Sequence, residues 1–143
     1  MTDSPQSTQT FAGPAYTAPP NVDEDAPWKL PQELSEFIAA GDEAVIIEIL
    51  DLFLQSLVKQ VHDLAELQVA ADPVRLGKLL HQLKGSSAQA GAERLRRLSA
   101  EAEALLRTSS SIRTLPQDSF DEIIIEAASV LEQVQTYRDS LAS

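Results

Sequence analysis

Apolar residues recur at intervals of three and four from Pro31 onward, the spacing that places them on one face of an α-helix. This pattern predicts a short helix from Glu33 to Ala40, closed by Gly41, and four longer helices. The longer helices are predicted from a cap at Asp42 to about Ala70, from Asp72 to about Ala90, from Ala92 to about Arg107, and from Ser119 to about Leu141. No strand pattern competes with them, so the sequence predicts an all-α fold.

Residues typical of helix ends support these boundaries. Asp72 followed by Pro73 is a cap with a proline at the first helical position, and Gly91 suits the left-handed residue that ends a helix. Ser119 and Glu122 have the spacing of a capping box. Because the connections are mostly short, we expect an antiparallel four-helix bundle with a short extra N-terminal helix. Such a bundle buries its core without a second copy, so we expect a monomer.

The same spacing predicts which side chains form the core. They are mostly aliphatic, and only 5% of the residues are aromatic, which favours packed helices over a β-sandwich. The expected inward residues are Ile46, Ile49, Leu50, Phe53, Leu57, Val61 and Leu64, then Leu95, Leu98, Ala102 and Leu105, and then Ile123 or Ile124, Ala127, Leu131, Val134 and Tyr137.

The N-terminal segment differs in composition from the rest of the chain. Residues 1–27 contain five of the eight prolines and only acidic charges. Such a segment cannot bury enough apolar surface to offset its ordering entropy. Residues 1–28 are therefore interpreted as a disordered tail, and residues 29–143 as the bundle domain. Trp28 and Leu30 are expected to attach the end of the tail to the bundle.

Charge is unevenly distributed. The net charge is −11, yet six of the eleven basic residues lie between Arg75 and Arg97, where the single acid is Glu93. A basic region on an acidic protein indicates a site for an anionic group, whereas the overall charge argues against a nucleic-acid partner. Within this region, Arg94, Arg96 and Arg97 are interpreted as a solvated helix face.

Three absences in the sequence bear on location and chemistry. No run of about 18 apolar residues occurs, which argues against a membrane span. The chain has no lysine or arginine before Lys29, unlike a secretory signal, and it has no cysteine. We therefore expect a cytoplasmic protein without a membrane contact or a thiolate metal site.

The helix predicted from Asp72 to Ala90 has a histidine on its outer face. A turn of about 100° per residue places His81 about 140° away from Leu76, which belongs to the inward arc. That arc contains Leu76, Leu80, Leu83, Ser87 and Ala90. His81 is therefore predicted to be exposed.

The neighbours of His81 on that face are small or basic. They are Gly77, Lys78, Lys84, Gly85 and Ala88. Glycine inside a helix costs about 1 kcal/mol relative to alanine, so two glycines beside one exposed histidine indicate that a partner surface must approach closely.

An exposed imidazole suits reversible phosphoryl transfer, because its neutral form is a nucleophile near physiological pH. Lys84, one turn away, can contact the phosphoryl oxygens, with Lys78 as a second candidate. Phosphoryl transfer also needs a metal clamp, and no acidic cluster here supplies one. We therefore expect no cofactor in this chain and Mg²⁺ on the partner.

The segment His81-Gln-Leu-Lys84-Gly85-Ser86-Ser87, followed by Gly91-Ala92, resembles the signature of histidine-containing phosphotransfer (HPt) domains. The resemblance extends over about residues 32 to 140, and its specific part is about a dozen residues. It implies that His81 is the phosphoacceptor, that Lys84 steadies the phosphoryl group, and that Gly85 leaves room for a receiver domain. The implied partners are a hybrid sensor histidine kinase and a response regulator, and Gly91 would serve the close turn.

Other interpretations fit less well. A histidine kinase fragment would follow its histidine with an acidic residue and a proline, and the chain has no ATP-binding domain, so we expect a phosphocarrier and not an enzyme. A metal site is disfavoured because His62 and His81 lie on different predicted helices without convergent acidic spacing. His62, which lacks neighbouring glycines, is assigned no role. Ser86 and Ser87 have no base and acid partners and are interpreted as packing residues. A helical adaptor without phosphoryl chemistry remains the alternative.

Overall fold

The computed structural model describes residues 28–143, which form five helices. They are α1 Gln32–Ala39, α2 Glu43–Ala70, α3 Pro73–Ala90, α4 Glu93–Thr108 and α5 Gln117–Ala142. Both α2 and α4 pack against α3 and α5, so the four longer helices close around one core. The predicted all-α bundle with an extra N-terminal helix is confirmed. The predicted disordered tail, residues 1–28, lies outside the described residues except for Trp28, which is buried.

The core consists of aliphatic side chains from all four longer helices. Just over half of the predicted inward residues are buried, and most of the others are half-buried and pack against the core. Leu54 and Leu79 are buried as well, whereas Ile49 is only half-buried. In α4, Leu106 packs against the core where the spacing predicts Leu105. None of the helices in the described range has the length and hydrophobicity needed to cross a bilayer.

The helix ends agree with the sequence signals at α3 but not at α5. Asp72 Oδ1 accepts a hydrogen bond from the Arg75 amide at 3.2 Å, as expected of a cap. The predicted capping box is wrong, because α5 begins at Gln117 and both Ser119 and Glu122 lie inside it.

A tertiary contact explains the earlier start of α5. The buried Leu115 donates its amide proton to Gln68 Oε1 at 2.9 Å, and its carbonyl accepts from Gln68 Nε2 at 2.7 Å. These bonds fix the chain immediately before Pro116, whose restricted φ of −54° suits entry into a helix.

The segment of residues 28–31, here called the N-terminal clamp, closes over the C-terminal end of α3. Trp28 is 8% exposed, its Nε1 donates to the Ala90 carbonyl at 2.8 Å, and its ring centroid lies 5.5 Å from that of Tyr137. Leu30 packs against the core. Both residues therefore attach this segment to the bundle, as predicted.

Gly91 connects α3 to α4 beneath the clamp. Its φ of 86° is left-handed, which confirms the predicted helix end. A Cβ at this position would lie 2.3 Å from the Lys29 carbonyl oxygen and 3.3 Å from the Pro31 ring. Glycine is therefore required here by both the backbone conformation and the close approach of the clamp.

Candidate functional site

His81 lies on the outer face of α3, with 68% of its side chain exposed. The residues predicted to face inward from α3, including Leu80 and Leu83, are fully buried. Ser87 is also fully buried, in agreement with a packing role. The predicted orientation of His81 is therefore confirmed.

Glu103 of α4 binds both His81 and Lys84. Its Oε2 lies 3.0 Å from His81 Nδ1, and its Oε1 lies 2.9 Å from Lys84 Nζ. The hydrogen bond from Lys84 and then that from His81 lower the pKa of Glu103, so this side chain is a carboxylate at neutral pH. One acidic residue thus joins the histidine and the lysine that the sequence singled out.

The carboxylate of Glu103 determines which nitrogen of His81 is free. A carboxylate only accepts hydrogen bonds, so the Nδ1 that faces it must be the protonated nitrogen of the neutral ring. Nε2 then has an available lone pair. The pairing across helices fixes the ring in the tautomer that a nucleophile at Nε2 requires.

Sequence reasoning missed Glu103, because helical periodicity reports the face of a residue and not its neighbour on another helix. The sequence does contain a signal for the pairing of Glu103 with His81. His81 and Glu103 lie at nearly equal distances along the chain from the turn at Gly91 and Ala92. Antiparallel packing of α3 and α4 brings such positions level with each other.

The surface of α3 around His81 is open. A Cβ built at Gly77 or at Gly85 would meet nothing within 4 Å, and Lys78 and Ala88 are exposed. The predicted neighbours of His81 therefore share its face, and neither glycine is needed for packing.

A groove of about 620 Å³ lies beside His81, between α3 and α4. Its apolar wall includes Val74, whose side chain stays mostly exposed, and Leu106. Its polar wall includes Lys78 and Arg107. The residues that line it are Pro73, Val74, Gly77, Lys78, His81, Gln82, Glu103, Leu106 and Arg107. This groove extends the open surface from His81 toward the N-terminal end of α3.

The basic residues that follow Gly91 do not form one solvated face. Arg94 is half-buried, and its NH1 lies 3.2 Å from Oε1 of the buried Glu126 of α5. Arg96 forms an ion pair with Glu93 one turn away, whereas Arg97 is exposed. The prediction of a solvated face is therefore wrong for Arg94, whose ion pair joins α4 to α5.

In the described part of the chain, one cluster of three side chains places possible metal-ligand atoms close together. These atoms belong to His62, Asp63 and Glu66 of α2 and lie within 4.8 Å of one another. His62 Nε2 is 3.3 Å from Glu66 Oε2, and Lys59 Nζ is 2.8 Å from Asp63 Oδ2. These exposed pairs are ordinary surface ion pairs along a helix, and we assign them no function.

Comparison with known families identifies the bundle. The family model described as the Hpt domain matches residues 48–139, which include most of α2, all of α3 and α4, and most of α5. The search of curated proteins and the search of solved structures gave no match.

Proposed function

The chain belongs to the Hpt domain family, and from this premise we propose that His81 accepts a phosphoryl group and passes it on. Hpt domains are phosphocarrier modules of phosphorelays and interact with the receiver domains of two-component systems. The observation that supports His81 most directly is its environment. It is an exposed imidazole whose Nδ1 contacts Glu103, and open space lies above the neighbouring glycines Gly77 and Gly85 of α3.

In the proposed reaction, His81 Nε2 attacks the phosphorus of a receiver's phospho-aspartate. The new bond joins Nε2 to phosphorus, the phosphorus–oxygen bond breaks, and its electron pair returns to the aspartate carboxylate. The ring keeps its proton on Nδ1, where Glu103 stabilises the positive charge that develops. Transfer to a response regulator is the reverse of this step on a second receiver.

Lys84 is proposed to stabilise the phosphoryl group. Lys84 is one turn from His81, and its ammonium forms an ion pair with Glu103, the carboxylate that also contacts the His81 ring. An ammonium close to the transferred group offsets the negative charge of its oxygens. Lys78, exposed on the same helix, is proposed to contact the receiver.

The open face and the groove are proposed to receive the partner. Gly77, Gly85 and Ala88 allow its backbone to approach, while Val74 and Leu106 offer apolar contact area. We propose a hybrid sensor histidine kinase as the donor and a response regulator as the acceptor. The chain itself is proposed to act as a cytoplasmic monomer without a cofactor, and the receiver supplies the Mg²⁺ that phosphoryl transfer needs.

Transfer of label from a radiolabelled phospho-receiver to the wild-type chain, His81→Gln and His62→Gln tests this proposal. We expect an acid-labile, base-stable label on the wild type and on His62→Gln, and none on His81→Gln. His62 is a matched control, because its side chain is also 68% exposed and also paired with a glutamate.

Two results would contradict the assignment. A label that persists in His81→Gln would mean that another residue accepts the phosphoryl group. If none of several receivers labelled the wild type, the helical adaptor would become the better interpretation. Equal helicity of the variants by circular dichroism shows that any loss of label reflects chemistry and not unfolding.

A further inference from the structure

In the structure, Lys84 is engaged by a protein carboxylate. Its Nζ lies 2.9 Å from Glu103 Oε1, while the other oxygen of that carboxylate binds His81 Nδ1 at 3.0 Å. The lysine proposed to stabilise the phosphoryl group is therefore already paired before any phosphoryl group arrives.

Glu103 is poorly placed to find a substitute for Lys84. Its side chain is only 15% exposed, and its Oε1 is buried with no other hydrogen-bond donor among the described residues. If the Lys84 ammonium moved away to the phosphoryl group, this oxygen would lose its ionic partner in a site with little access to water. Leaving a buried carboxylate oxygen unpaired is costly.

We infer that Glu103 competes with the phosphoryl group of phospho-His81 for Lys84, and so limits the stabilisation that Lys84 can give to the phosphorylated form. This inference rests on the proposed function of His81. Glu103 acts here as a positioning residue, since it works through Lys84 and does not touch the phosphorus.

The competition affects how readily phospho-His81 gives up its phosphoryl group. Because the Lys84 ammonium already shares its charge with Glu103, its net contribution to phospho-His81 is smaller than that of an ammonium without a carboxylate partner. The phosphoryl group on His81 is then easily passed to the next receiver. Such a balance suits a transfer intermediate better than a store of phosphoryl groups.

A double-mutant cycle on the phosphotransfer equilibrium tests the competition. The chains are the wild type, Lys84→Met, Glu103→Gln and the double variant, each equilibrated with one receiver domain that labels the wild type. Effects of Glu103 that do not pass through Lys84 cancel in the cycle. We expect Lys84→Met to reduce the labelled fraction of His81 by about three- to tenfold more in the Glu103→Gln background than in the wild-type background.

An equal effect of Lys84→Met in both backgrounds, or a larger one in the wild type, would overturn the competition. Absence of label on the wild type would instead refute the proposed phosphoacceptor, so the two failures are distinct. Glu101→Gln is the matched control, because Glu101 is exposed on α4 and does not line the groove. It should leave the effect of Lys84→Met unchanged. Glu103→Ala, measured in the same way, should give an interaction of the same sign.

Discussion

The middle and the C-terminal end of α3 use glycine for opposite purposes. Around His81, a Cβ at Gly77 or Gly85 would meet only open space. At the end of the same helix, a Cβ at Gly91 would lie 2.3 Å from the Lys29 carbonyl oxygen, and Trp28 binds the Ala90 carbonyl. The clamp thus covers the C-terminal end of α3, whereas the surface around His81 on the same helix is open.

This difference shows how a glycine that lowers helix stability can be interpreted. At Gly91, the fold itself explains glycine, because φ is positive and the clamp approaches closely. At Gly77 and Gly85, the fold offers no such reason, although glycine lowers helix stability. Where packing does not require glycine, access by a partner is the remaining physical explanation. Variants at these glycines test the comparison directly.

The largest effect is expected from Gly85→Arg. A long side chain one turn from His81 should keep a receiver at a distance and reduce phosphoryl transfer by about a hundredfold or more, because reacting atoms must meet within a narrow geometry. The initial rate of label transfer measures this effect, and urea denaturation should show an intact fold.

Ala128→Arg is the control for Gly85→Arg. Ala128 is a small exposed residue of α5, and α5 does not pack against α3 in the described residues. Its rate of transfer should match the wild type. An unchanged rate in Gly85→Arg would remove the explanation of this glycine by access.

The second effect concerns the closed end. Gly91→Ala places a Cβ against the clamp in a left-handed conformation, and we expect the free energy of unfolding to fall by about 3 kcal/mol. Gly41→Ala is the matched control, since Gly41 has a φ of 85° but nothing within 4 Å of an added Cβ. It should cost about 1 kcal/mol. Equal losses in urea denaturation would mean that the clamp adds nothing to the requirement for glycine.

A smaller effect of opposite sign is expected from Gly77→Ala. Since the added methyl meets open space, the higher helix propensity of alanine should raise the free energy of unfolding by about 1 kcal/mol. A loss of stability in urea denaturation would show that Gly77 has a structural role after all.

The smallest effect is a dependence on pH at the open face. Because its contacts lower the pKa of Glu103 below the ordinary value of 4.5, its contribution to stability is present above that value and is lost as the pH falls through the lower folded value. The wild type should exceed Glu103→Gln in free energy of unfolding at pH 7 by less than about 1 kcal/mol, and the gap should close as the pH falls below 4.5. A gap that persists unchanged far below pH 4.5 would contradict the assigned contacts. The contacts of the clamp with the C-terminal end of α3 join uncharged groups, so their contribution to stability should not change over the same fall in pH.

Sequence reasoning predicted the helices, the exposure of His81 and the close turn at Gly91, because each depends on local spacing. It failed where a residue's partner lies on another helix. Glu103 was missed for this reason, and the capping box at Ser119 and Glu122 was wrong because the contact between Leu115 and Gln68 starts α5 earlier. Local patterns report faces and ends of helices, while the pairing of side chains depends on how the helices pack.

Trp28 is the only tryptophan of the chain, so the tryptophan fluorescence of the protein comes from the clamp alone. The indole contacts the end of α3 about 13 Å of helix away from His81. A receiver without tryptophan, bound at the groove, would leave this emission unchanged. Opening of the clamp would expose the ring to water and shift the emission to longer wavelength. The protein thus contains an unmodified optical probe that distinguishes partner binding from loss of structure.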